Sequence, residues 1–356
     1  MTSLSDPNQS TDRVIVSRLE AYPEDFDPSM ARKLAGLTQQ AYEQFDLFKL
    51  KEETRTFKLE EPYQLDTEFA EKKVPFGFVA SEASSDNVYV IFRGTKRFIE
   101  WFKDANVQLV SYKDSRDKND RRVEIDDEIA EGIVQKNQSS KIIPKIDDNF
   151  GFTTAGFRGI YVSLREKLIE ALKKKPQNSK IFVTGHSLGG ALATLAIPDI
   201  LKNTHFTNPK NITLYTFASP RSGDRQFVTN FQKLGVQHWR IANTEDFVTM
   251  LPFPTGNVTK PAPIEAPPED KVTEGANKGN PFFQFLKGFY DSRRHRMADY
   301  AHTGTPIYFT IHEGALERHH NLNEVYMLGI SQNPLATAKE AVDEVFHKIE
   351  DKLAGG

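Results

Sequence analysis

The segment of this chain best suited to chemistry is Gly185-His186-Ser187-Leu188-Gly189-Gly190. A serine at the centre of Gly-x-Ser-x-Gly fits a sharp turn from a strand into a helix. Such a turn forces strained dihedrals on the serine, and side chains two residues to either side would collide with neighbouring backbone. Gly185 and Gly189 remove those collisions, with His186 enclosed in the turn. The hydroxyl of Ser187 then projects above the carboxyl edge of a sheet, and the N-terminus of the following helix directs its dipole and amide groups at a developing oxyanion. A bare Gly-x-Ser-x-Gly arises often by chance. Here an apolar run, Lys180 to Thr184, precedes it, and Gly190, Ala191 and Ala193 follow, as a helix packed close to a sheet requires.

A serine nucleophile needs a base, and the base needs an orienting carboxylate, expected downstream in the order Ser, acid, His. Asp246 and Glu245 both sit in Asn243 to Pro252, just beyond an expected strand from Val236 to Ile241, and local pattern leaves both open. Nine histidines compete for the base. His319 and His320 follow the last expected strand, a placement that lets a side chain reach back to the sheet edge. His302, in Tyr300-Ala301-His302-Thr303-Gly304, is their rival. Two convergent donors must also meet the oxyanion. The amide of Leu188 is one by its position, and Thr95, closing Phe92-Arg93-Gly94-Thr95, offers an amide and a hydroxyl.

The elements that must hold these residues alternate between strand and helix. Helical patterns are expected from Pro28 to about Asp46, Phe157 to Leu172, Leu188 to Lys202 and Asp224 to Leu234, with two more ending near Leu353. Extended runs from Val74 to Ala80 and Asn87 to Arg93 read as a hairpin, and further strands are expected at 180–184, 212–217, 236–241 and 306–311. Strands separated by helices mean crossover connections and a largely parallel sheet. Twelve of the sixteen residues from Lys113 to Glu128 are charged, and Pro254 to Pro281 is rich in proline, so surface insertions are expected at about 111–150 and 253–299 of a single domain spanning 13–356. Residues 1–12 are polar and expected to fray.

Composition excludes several functions. Forty-six Lys and Arg against forty-nine Asp and Glu give a formal charge of −3, so no global field attracts nucleic acid. Without cysteine there is no disulfide framework, thiolate metal site or cysteine nucleophile. No cofactor or metal is called for by the serine chemistry. No signal-peptide core or run of about 18 apolar residues is visible, which leads to an expectation of a cytoplasmic or peripheral membrane location.

Taken together, these motifs resemble the class 3, or fungal-type, lipases of the α/β-hydrolase fold. Phe92 to Thr95, Gly156-Phe157, Gly185 to Gly190, Phe217-Ala218-Ser219-Pro220-Arg221-Ser222-Gly223, Asn243 to Pro252 and Tyr300 to Gly304 recur in the family's order. The resemblance implies a mostly parallel central sheet flanked by helices, and hydrolysis of acyl-ester bonds in lipids such as triacylglycerols. A phospholipase, galactolipase or soluble-ester esterase is the nearest alternative, and a non-catalytic lipid-binding relative a further one. It also implies Ser187 as nucleophile, Asp246 as acid, His320 as base with Tyr326 downstream, and Thr95 and Leu188 at the oxyanion positions. His302 then matches a non-catalytic histidine. Family members close their site with a short amphipathic helix after the first oxyanion residue, which here falls on Phe98, Ile99, Trp101 and Phe102. Independently of the resemblance, Phe282, Phe285, Leu286 and Phe289 share a helical face beside Arg293-Arg294-His295-Arg296, a pattern that fits docking at a lipid interface.

Overall fold

The computed structural model describes residues 14–16, 22–50, 57–71, 73–95, 109–113, 142–252, 300–312 and 318–331. Its centre is an eight-stranded sheet. In chain order the strands are β1 (Val14–Val16), β2 (Tyr63–Glu71), β3 (Val74–Glu82), β4 (Asn87–Phe92), β7 (Lys180–His186), β8 (Ile212–Phe217), β10 (Gln237–Asn243) and β12 (Thr305–His312). In space they lie in the order β1-β12-β10-β8-β7-β4-β3-β2. The five from β4 to β12 run parallel, in register as Val90 with Val183, Val183 with Leu214, Tyr215 with Trp239 and Ile241 with Ile307. The hairpin β3–β4 and the strands β2 and β1 add antiparallel edges.

The parallel strands are apolar on both faces because helices cover both. On one side lie α2 (Ala155–Lys173) and α3 (Leu188–Asn203), which bury Phe157, Leu164, Leu168, Leu192 and Leu195 against Val90, Val183 and Leu214. On the other lies α1 (Pro28–Lys49), which buries Leu34, Leu37 and Ala41 against Phe78, Tyr89 and Ile91. The start of α1 follows the sequence. Pro28 occupies its first turn and the Asp27 carboxylate accepts from the amides of Ser29 at 2.8 Å and Met30 at 3.0 Å. A smaller sheet joins β5 (Leu109–Ser111), β6 (Phe152–Thr154), β9 (Gly223–Asp224) and β11 (Tyr300–Ala301), with α4 (Arg225–Gln232) packed beside it.

Two expectations need correction. The strand β2 is not among the strands expected from the sequence, because as an edge strand it carries Asp66, Glu68 and Glu71 among its apolar residues. The first insertion is also narrower than 111–150: Tyr112, Ile143, Ile146 and Phe150 are buried in the main core. The second, 253–299, lies outside the described residues, as do the two lid candidates. No described helix is long and apolar enough to cross a membrane.

One buried ionic group fastens the two helices on the first face. Asp199 of α3, with no solvent exposure, meets two guanidinium nitrogens of Arg165 of α2, at 2.6 and 3.0 Å, and accepts from the Tyr161 hydroxyl at 2.6 Å. Asn203 donates to it at 2.7 Å. Removing this carboxylate leaves the half-buried Arg165 guanidinium and the buried Tyr161 hydroxyl without their partner, so Asp199→Ala should lower the unfolding free energy by roughly 2–3 kcal/mol in denaturant titrations. A loss near zero would mean the group contributes nothing to holding α2 on α3.

Candidate active site

The strand order brings the functional loops together at one sheet edge. β7 lies between β4 and β8, with β10 and β12 following outward. The carboxyl ends of these parallel strands lead into Arg93-Gly94-Thr95, Ser187, Ala218-Ser219, Asp246 and His320, and that edge is where open α/β sheets place ligands.

Ser187 separates β7 from α3 and has φ 60° and ψ −128°, a conformation that is costly for any residue with a β-carbon. The turn is possible only because its neighbours are glycine. A β-carbon on Gly185 would lie 2.2 Å from the Gly189 carbonyl oxygen, and one on Gly189 would lie 2.3 Å from the Phe92 carbonyl oxygen. Ser187 Oγ is buried and has no hydrogen-bond partner among the described residues. Leu188 opens α3 at that point, so its amide is directed along the helix start. The loop carrying Thr95 is packed against the same turn, since a β-carbon on Gly94 would stand 2.8 Å from Ser187 Cβ.

The acid and base alternatives separate clearly in three dimensions. His320 Nδ1 lies 2.8 Å from Asp246 Oδ2, and Asp246 is buried. The same oxygen accepts from the Tyr326 hydroxyl at 2.6 Å, while Asp246 Oδ1 accepts the Val248 amide at 3.0 Å. Burial and the adjacent Asp246 carboxylate push the Tyr326 phenol well above its usual range, so it stays a donor. Tyr326 belongs to a single π-turn, Leu322–Tyr326, continuing into α5 (Met327–Ser331). With Nδ1 donating to Asp246, proton exchange at His320 falls to Nε2. His319 instead turns Nδ1 to the Glu245 carbonyl oxygen at 3.2 Å. His302 Nε2 is 2.7 Å from the Thr249 carbonyl oxygen, a structural bond beneath the acid loop. Arg221 supports the same loop from the other side by donating to the carbonyls of Met250 and Pro252.

Tyr42 is the residue at this edge that no sequence motif marks. It lies in α1, 144 positions from His186, yet its hydroxyl is 2.8 Å from His186 Nδ1. Among the described residues no group of three or more His, Cys, Asp or Glu is placed to hold a metal ion.

Three histidines at or near the site, His186 and His238 buried and His302 partly buried, are held in the neutral form. Burial, with the neighbouring His320, holds His186 well below the usual imidazole range; burial and Arg240 lower His238 to about 3; burial with Arg240 and Arg221 lowers His302 to about 2. In the unfolded chain each titrates near 6.5. Below that pH the unfolded state binds protons the native state refuses, so the stability they contribute is complete above about pH 6.5 and is lost as pH falls. Each should steepen the decline by roughly 1.4 kcal/mol per pH unit. Urea midpoints at pH 7 and pH 5 check this, and equal midpoints would contradict it.

The fold agrees with known proteins. The family model described as lipase (class 3) matches residues 89–256, a span that contains Ser187 and Asp246 and ends before His320. Over that span the chain is similar to the class 3 lipases. It is 30% identical over 190 residues to phospholipase A1-II 3 of Oryza sativa subsp. japonica, covering 49% of this chain and 41% of that protein. It is 28% identical over 174 residues to a lipase of Rhizomucor miehei, covering 49% and 40%. The chain thus spans about two fifths of the length of these relatives. A solved Rhizomucor miehei lipase propeptide complex, in a deletion variant, superposes with a TM-score of 0.50 at 17% identity over 90% of this chain and 84% of that one, which shows the α/β-hydrolase fold.

Proposed function

We propose that the chain is a serine hydrolase of acyl lipids, cleaving ester bonds as a lipase does through an acyl-enzyme. The observation that carries this reading is the pair formed by the buried Asp246 and His320 at the sheet edge that also holds the strained Ser187 turn. Ser187 Oγ attacks the ester carbonyl carbon as its proton passes to His320 Nε2, and Asp246 holds the resulting imidazolium. The oxyanion is met by the Leu188 amide and Thr95, donors of a kind worth about 3–4 kcal/mol each in such sites. Collapse of the tetrahedral intermediate breaks the bond to the leaving alkoxide, which takes the proton from His320. Water then attacks the acyl-enzyme, giving its proton to the same nitrogen, and collapse of the second tetrahedral intermediate releases the fatty acid as Ser187 Oγ takes that proton back from His320. Work at a lipid interface fits this substrate class, with 98–102 and 282–290 as lid or docking candidates and a peripheral or cytoplasmic location.

A second reading, phospholipase A1, is supported by the names of the rice relatives. Initial rates on p-nitrophenyl esters from acetyl to palmitoyl, then on triolein and phosphatidylcholine emulsions, test both. Serine-dependent activity that favours long chains and rises at the interface supports a lipase, with the better emulsion naming the headgroup. Activity confined to short soluble esters would make it an esterase, and none at any length would favour a non-catalytic lipid-binding protein.

A further inference from the structure

The hydrogen bonds around His186 form a continuous chain that the reaction steps do not use. His186 Nε2 is 2.9 Å from the backbone carbonyl oxygen of His320. A carbonyl only accepts, so Nε2 carries the ring proton, and Nδ1 is left as the acceptor. The Tyr42 hydroxyl donates to it at 2.8 Å and itself accepts the Gly94 amide at 3.0 Å. Each group uses its one proton in one direction, which fixes the tautomer of His186. Burial favours the neutral ring, and burial likewise holds the Tyr42 phenol protonated. The rings of His186 and His320 stack obliquely, with centroids 4.6 Å apart. Two side chains therefore join α1, the turn after β4, the end of β7 and the segment that carries the base.

We infer that His186 and Tyr42 are positioning residues: the His186 Nε2–H sets the main chain of His320, and Tyr42 anchors the His186 ring through Nδ1 while holding the Gly94 turn that bears Thr95. Base and oxyanion donor thereby keep register with Ser187. The inference rests on the hydrolase reading of Ser187 and His320. It matters because a displacement of about 1 Å in a reacting group can cost about 100-fold in rate. Without the Tyr42 hydroxyl, buried His186 Nδ1 loses its donor and the Gly94 amide its acceptor, so the imidazole and the turn that bears Thr95 are no longer tied to each other.

The test measures kcat and KM for p-nitrophenyl butyrate in the full chain, with near-UV circular dichroism and Tm as checks of folding. Tyr42→Phe keeps the ring and should lower kcat about 10- to 100-fold with KM within about twofold. His186→Leu should do the same, while His186→Gln, whose side-chain amide returns an N–H towards the His320 carbonyl, should recover most of the rate. Wild-type kcat in Tyr42→Phe overturns the inference, as does a loss that only follows the folded fraction or that Gln fails to rescue relative to Leu. If His186→Leu does not fold, Tyr42→Phe alone decides. An inactive wild type defeats the hydrolase reading itself, and is told apart because no variant is needed to see it.

Discussion

Ser187→Ala should lower kcat on a soluble ester by about 10⁶-fold, and His320→Ala should do nearly the same. The two act as one unit, since the hydroxyl of Ser187 is a poor nucleophile until its proton has somewhere to go. The double variant should therefore be no slower than either single one. Ser187 Oγ makes no hydrogen bond among the described residues, so Ser187→Ala should keep the native circular dichroism, and His320→Ala, which takes a partner from the buried Asp246 carboxylate, needs the same check. The remaining rate in all three, above that in water, would come from Leu188, Thr95 and substrate binding. Additive losses in the double variant would mean that the two residues act on different steps.

The second large effect is expected from Asp246→Asn, with a loss in kcat of roughly 10⁴-fold at unchanged secondary structure. The carboxylate accepts from His320 Nδ1, the Tyr326 hydroxyl and the Val248 amide. An asparagine amide turned to His320 donates where the carboxylate accepted. It would then select the imidazole with its proton on Nε2, the nitrogen that must receive the proton of Ser187. Tyr326→Phe leaves the carboxylate and the tautomer in place, so its loss should be far smaller. A decrease of less than tenfold in Asp246→Asn would show that Asp246 does not orient the base, and Glu245 would then be re-examined through its own substitution.

Much of this arrangement is legible in the amino-acid sequence. The alternation of apolar strands with amphipathic helices gives the parallel sheet, because crossover connections leave few other solutions, and Gly185 and Gly189 mark the one turn where a serine can sit above its edge. What is not legible is set by distance along the chain. Asp246 and Glu245, or His319 and His320, are chemically equivalent neighbours, and only the path of the backbone decides which side chain turns to which. The tie between Tyr42 and His186 leaves no local pattern at either end. The edge strand β2 is hidden by the charges that keep such a strand soluble, and the two-residue strands of the smaller sheet are too short for any periodicity to register.

The central claim is that Ser187 is a nucleophile activated by His320 held on Asp246. Labelling the folded chain with a fluorophosphonate and locating the adduct by peptide mass spectrometry addresses it most directly, because the reagent forms a stable bond only with an activated hydroxyl. The account predicts a single adduct on Ser187 that is absent in His320→Ala. An unlabelled native protein, or an adduct on another residue, would contradict it.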